Sequence, residues 1–107
     1  MSSGSARFHE LCEEWLYRPN VVRSTMMGYP CLRAGGDFFS CANKDGTFLT
    51  VKLSKERVLE AIDAGEAAPF APNGRVFKEW ASVPADRMDE WPQWMQEAHD
   101  FVANKSK

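Results

Sequence analysis

An α+β two-layer sandwich is expected from this sequence, in the order α-β-β-β-α-β-β-α, with an antiparallel five-stranded sheet. Three observations carry that expectation. Apolar residues recur at helical spacing at the start, middle and end of the chain. Between those stretches they fall into short β-type runs, and the runs are separated by the turn sequences Gly35-Gly36, Lys44-Asp45-Gly46 and Pro72-Asn73-Gly74. Hairpins combined with helices that do not alternate one for one with strands indicate helices laid on an antiparallel sheet, not a parallel doubly wound sheet.

Phe8, Leu11, Cys12, Trp15 and Leu16 recur at i, i+3, i+4, i+7 and i+8, on one face of a helix over residues 5–18, and Pro19 stops it. The runs 30–34, 38–42 and 47–53 read as a three-stranded meander. Ser54 is placed to cap a middle helix with Glu56 in its first turn, and Val58, Leu59 and Ile62 form its apolar stripe up to Gly65. Residues 67–71 and 75–83 make a second hairpin. Trp91, Trp94, Met95, Ala98, Phe101 and Val102 mark the closing helix, with Pro92 in its first turn. Residues 1–4 and 104–107 are expected to be disordered, and the rest forms one domain.

The strands alternate imperfectly. Val76, Lys78 and Trp80 share one face of the 75–83 run, and Phe77, Glu79, Ala81 and Val83 share the other, while Phe48 opposes Leu49 and Val51. A sheet covered on one side only should alternate apolar with polar. The second face is therefore expected to be partly covered, and a dimer partner is one way to cover it.

A chain of 107 residues with 44% hydrophobic residues suits one domain that buries about two-thirds of its unfolded surface. The formal charge is −2, from 13 basic and 15 acidic residues. That balance argues against direct binding of duplex DNA, which rests on a surplus of cations facing phosphates. No apolar run approaches the roughly 18 residues needed to cross a bilayer, and Met-Ser-Ser-Gly-Ser lacks the regions of a signal peptide. No membrane contact and a cytoplasmic location are expected. Cys12, Cys31 and Cys41 are an odd number without CxxC spacing, so three free and mostly buried thiols are expected, and no zinc.

Candidate chemistry is sparse. His9 and Glu13 at i, i+4 flank Cys12 as ligands would, but Cys12 belongs to the apolar stripe and no second cluster completes a site, so no metal is expected. His99 beside Asp100 has no nucleophile signature to serve. Arg33 beside Cys31 is the one hint of an activated thiol. The scattered glycines match no phosphate loop. No catalytic residue and no cofactor are assigned. Trp15, Trp80, Trp91 and Trp94 read as core residues, although Trp80, with Arg75 and Lys78 nearby, could stack on a base or ring. Arg18, Arg23 and Arg33 fall in a stretch free of acids, whereas Asp86, Asp89, Glu90, Glu97 and Asp100 make the end of the chain acidic. A basic segment of this kind suits an anionic surface on another protein or another subunit.

Met26-Met27-Gly28, Phe38, Phe39, Phe70, Gly74-Arg75, Lys78-Glu79-Trp80, Val83-Pro84, and Trp94 with Ala98 span nearly the whole chain. In these residues it resembles the N-terminal domain of the TfoX/Sxy competence regulators, and the related YjbR-like domains look similar. The resemblance implies a two-layer architecture like that of type III secretion chaperones, with no established catalytic residues. Those regulators usually continue into a helical C-terminal domain, and this sequence ends at Lys107.

Two functions follow. The first is a non-catalytic interaction or regulatory module that self-associates, through the mixed sheet face or through Arg18, Arg23 and Arg33. The alternative is a small-ligand or nucleic-acid binder using Arg75, Lys78 and Trp80.

Overall fold

A computed structural model describes residues 4–26, 29–43, 46–71 and 74–105. The elements are α1 (Gly4–Trp15), β1 (Val21–Met26), β2 (Tyr29–Ala34), β3 (Asp37–Ala42), β4 (Phe48–Lys52), α2 (Lys55–Asp63), β5 (Ala68–Phe70), β6 (Phe77–Pro84), a 3-10 segment (Ala85–Glu90) and α3 (Trp91–Lys105). All strand pairs are antiparallel, in the order β1-β2-β3-β4-β6-β5. The α+β class is as expected, but the sheet has six strands and not five.

The additional strand is β1, in the stretch read as a basic segment. Pro19 ends the helical region, and Asn20 turns the chain at φ 65, a left-handed conformation that asparagine tolerates. The Asn20 carbonyl accepts the Gly35 N–H at 3.0 Å. The β-branched Val21, Val22 and Thr25 then favour extended backbone. As an edge strand, β1 buries little: among its described side chains Val21 is the one in the core, which is why it lacks a clean apolar alternation.

Helices cover one face of the sheet. Phe8, Leu11, Cys12 and Trp15 of α1, Val58 and Ala61 of α2, and Trp91, Trp94, Met95, Ala98 and Val102 of α3 pack on Leu32, Leu49, Val51, Ala81 and Val83. Leu16, expected on the buried face of the first helix, is 39% exposed because α1 ends one residue earlier. Gly4 and Asn104, expected in disordered ends, lie within α1 and α3. Residues 1–3 and 106–107, and the Met27-Gly28, Lys44-Asp45 and Pro72-Asn73 pairs of the expected motifs and turns, lie outside the described residues.

A bulge decides the cysteine chemistry. Arg33 pairs with Phe38 but Leu32 pairs with Ser40, so Phe39 is an extra residue in β3. Phe39 is fully buried, with its ring 5.2 Å from that of Trp15. The same one-residue shift sets Cys31 directly opposite Cys41, where a regular hairpin about Gly35-Gly36 would have given it Ser40. Cys31 and Cys41 form a disulfide across β2 and β3, with their Cα atoms 4.1 Å apart. The expectation of three free thiols is corrected: Cys12 is the free cysteine.

Candidate functional site

The middle helix is short and packs by few residues. Ser54 accepts the Arg57 N–H at 3.2 Å and starts α2. Val58 and Ala61 point into the core and Ile62 is half-buried. Leu59, read from sequence as part of the buried stripe, is instead 62% exposed. Beside this helix, β5 has three residues and includes Pro69, which lacks an N–H for any further strand. The chain entering β6 is therefore poorly covered, with Val76 55% and Phe77 40% exposed.

These side chains meet. Between α2 and the β5–β6 hairpin lies a groove of about 610 Å³ lined by Lys55, Val58, Leu59, Ile62, Pro69, Val76, Phe77, Lys78 and Trp80. Three of the seven large apolar side chains left exposed among the described residues line it. Its charged lining is Lys55 and Lys78, with no carboxylate. The ring of Phe70 backs the wall, 5.7 Å from Phe77 and 6.4 Å from Trp80. A long apolar trough with a cationic rim can hold apolar side chains while attracting neighbouring carboxylates.

The residues singled out from sequence divide between this groove and elsewhere. Lys78 and Trp80 line it, while Arg75 is exposed in the segment before β6. Trp80 is half-buried, not the core residue expected. Its ring already has Lys52 Nζ at 5.7 Å and Phe70 at 6.4 Å.

Arg18, Arg23 and Arg33 do not form one surface. Arg18 lies over the Trp15 ring at 3.8 Å and donates from Nη1 to Gln96 Oε1 at 2.8 Å, in the cleft between α1 and α3. Arg23 Nη2 is 2.9 Å from His9 Nδ1, beside α1. Arg33 lies over the Phe38 ring at 4.8 Å and donates to the Gly36 carbonyl at 3.0 and 2.6 Å. Each guanidinium is engaged locally.

The metal reading from His9, Cys12 and Glu13 finds no geometry. Among the described residues, no three His, Cys, Asp or Glu side chains converge on a point that could hold an ion. His99 packs 5.0 Å from Trp15 and 5.5 Å from Phe39, with Nδ1 3.3 Å from Asp100 Oδ1.

Sequence reasoning missed Leu59, Val76, Phe77 and Lys55 as site residues. The available signal was Val76-Phe77, two consecutive apolar residues entering a strand whose alternation can bury only one of them. No protein-family model, curated protein or solved structure matches the chain.

Proposed function

We propose that the chain is a non-catalytic protein-interaction module whose partner docks in the groove between α2 and the β5–β6 hairpin. The observation that carries this reading is the gathering of Leu59, Val76 and Phe77 in one trough whose charged lining is lysine. Scattered surface apolar residues need no explanation, but a contiguous set flanked by charge marks an interaction surface. The partner chemistry follows: a segment of another protein that presents apolar anchors flanked by Asp or Glu. A second copy docked groove to groove would set the same lysines against each other. Self-association, the expectation from sequence, is therefore a competing outcome of the test.

The resemblance to TfoX/Sxy N-terminal and YjbR-like domains, which carry no established catalytic residues, supports a non-enzymatic role. The same reading places the chain in the cytoplasm, without a membrane or duplex DNA as partner. No described helix is long and apolar enough to cross a bilayer.

Selection from a displayed library of random peptides tests the proposal. Enriched peptides should carry apolar anchors flanked by carboxylates, and should lose binding to Leu59→Glu and Phe77→Asp. Leu59 is largely exposed, so Leu59→Glu should keep the circular dichroism and melting behaviour of the parent to within about 0.5 kcal/mol, whereas Phe77→Asp loses the ring contact with Phe70 and should stay folded at a cost of about 1 to 2 kcal/mol. Failure to enrich any peptide, binding indifferent to both substitutions, or a stable dimer that occludes the groove would overturn it.

A further inference from the structure

A second feature lies on the helix-free face of the sheet, adjoining the groove at Pro69. The register places one residue of each strand in a row across all six: Ser24, Cys31, Cys41, Thr50, Ser82 and Ala68. All six are small, so the row is a trough, and the larger Tyr29, Phe48 and Phe70 stand beside it. Part of the trough is a hollow of about 260 Å³ onto which Cys41, Thr50 and Ser82 open. The Thr50 and Ser82 hydroxyls are buried there and share one long hydrogen bond of 3.5 Å.

We propose that this hollow admits a small thiol to the Cys41 sulfur, making Cys31–Cys41 a reversible thiol–disulfide couple in exchange with low-molecular-weight thiols such as glutathione. The two cysteines are not equivalent. Cys41 lines the hollow and is 3% exposed, whereas Cys31 is 0% exposed and does not line it. In the first step a thiolate RS⁻ forms a bond to Cys41 Sγ, the bond between the two cysteines breaks, and its electron pair leaves on Cys31. Cys31 takes up the proton that RSH released. The Tyr29 carbonyl, 3.3 Å from Cys31 Sγ, is placed to accept a hydrogen bond from the resulting thiol. In the second step another RS⁻ attacks the R sulfur of the mixed disulfide, releasing RSSR and a Cys41 thiolate that is then protonated. Two RSH are oxidised to RSSR as the protein disulfide is reduced to two thiols, and the reverse direction uses RSSR as oxidant.

The test uses the full chain equilibrated in glutathione buffers from strongly reducing to strongly oxidising, acid-quenched, and alkylated after denaturation. Intact mass should pass from three alkylated cysteines to one, with Cys12 as the residue alkylated throughout. A chain that stays in one state across the whole series contradicts the proposal. Peptide mapping of the acid-trapped mixed disulfide, formed from the parent chain by brief exposure to reduced glutathione, should locate the adduct on Cys41. Adducts on Cys31 in equal or greater amount would contradict it as well. Neither measurement depends on a variant that must fold.

Discussion

Cys12 is 1% exposed beneath α1, and burial pushes its thiol from the ordinary value of 9.0 up to about 11, with the charge of Arg23 and a hydrogen bond from it pulling partway back. An unfolded Cys12 gives up its proton near pH 9, whereas the folded one keeps it to about pH 11. Between those limits the unfolded chain binds fewer protons, so this contribution to stability is complete below about pH 9 and is lost as pH rises toward 11. The loss amounts to about 2 to 3 kcal/mol. Urea unfolding of the parent and of Cys12→Ala at about pH 8 and about pH 11 checks it. The parent should lose more stability than the variant on going to high pH, and equal losses would contradict the assignment. Ser40 offers a test of the opposite kind. Its hydroxyl is buried on the helix-covered face with no hydrogen-bond partner among the described residues, a situation that costs about 1 to 3 kcal/mol. Ser40→Ala should hold or raise the melting temperature, and a clear drop would show that the hydroxyl is engaged. Gly4 packs so closely on the β3–β4 turn that a Cβ there would run into the Gly46 carbonyl oxygen. Gly4→Ala should therefore cost about 1 to 3 kcal/mol in thermal unfolding, and a neutral result would mean that the start of α1 does not pack there.

Among the elements, those with strong periodicity were legible in the sequence. The helices about Leu11, Val58 and Trp94 and the strands holding Leu32, Phe39, Leu49 and Ala81 all follow from apolar spacing and turn residues. What escaped detection depended on context that spacing does not carry. β1 was hidden because an edge strand buries little, and among its described side chains Val21 is the one that enters the core. The Cys31–Cys41 pairing was hidden because a single bulged residue, Phe39, determines whether position 31 faces 40 or 41. Leu59 sits in the helical stripe of α2 but lines the groove and is 62% exposed. The groove was legible only in Lys78 and Trp80, and for a different chemistry. Because α2 forms one wall of that groove, its N-cap matters for the site as well as for the fold. Ser54→Ala removes the acceptor of the Arg57 N–H and should lower stability by about 1 kcal/mol, measurable as a fall in melting temperature. The Arg57 guanidinium also bonds Glu97 of α3 at 3.0 and 3.1 Å and lies 4.9 Å from the Trp94 ring centre, so α2 is tied to α3 at the same point.

Taken as a whole, the molecule is mildly acidic yet shows a lysine-rimmed apolar trough on one side and, on its helix-free face, a hollow that Cys41 lines. A local cationic rim on an acidic body favours a protein segment over a nucleic acid, because general phosphate binding needs a wider field of cations. Rim charges of this kind contribute about 0 to 1 kcal/mol each. Lys55→Gln and Lys78→Gln should therefore each weaken a docked acidic segment by up to about fivefold, with the parent complex weakening in the same direction as salt is raised. The apolar anchors carry the larger share. The most direct measurement is nuclear magnetic resonance titration of the labelled chain with a peptide recovered by selection, following each residue separately. The groove reading predicts saturable shifts concentrated on Leu59, Ile62, Val76, Phe77 and Lys78, with Arg18, Arg23 and Arg33 unmoved. Shifts centred on the arginines or on the helix-free face, with the groove silent, would contradict it.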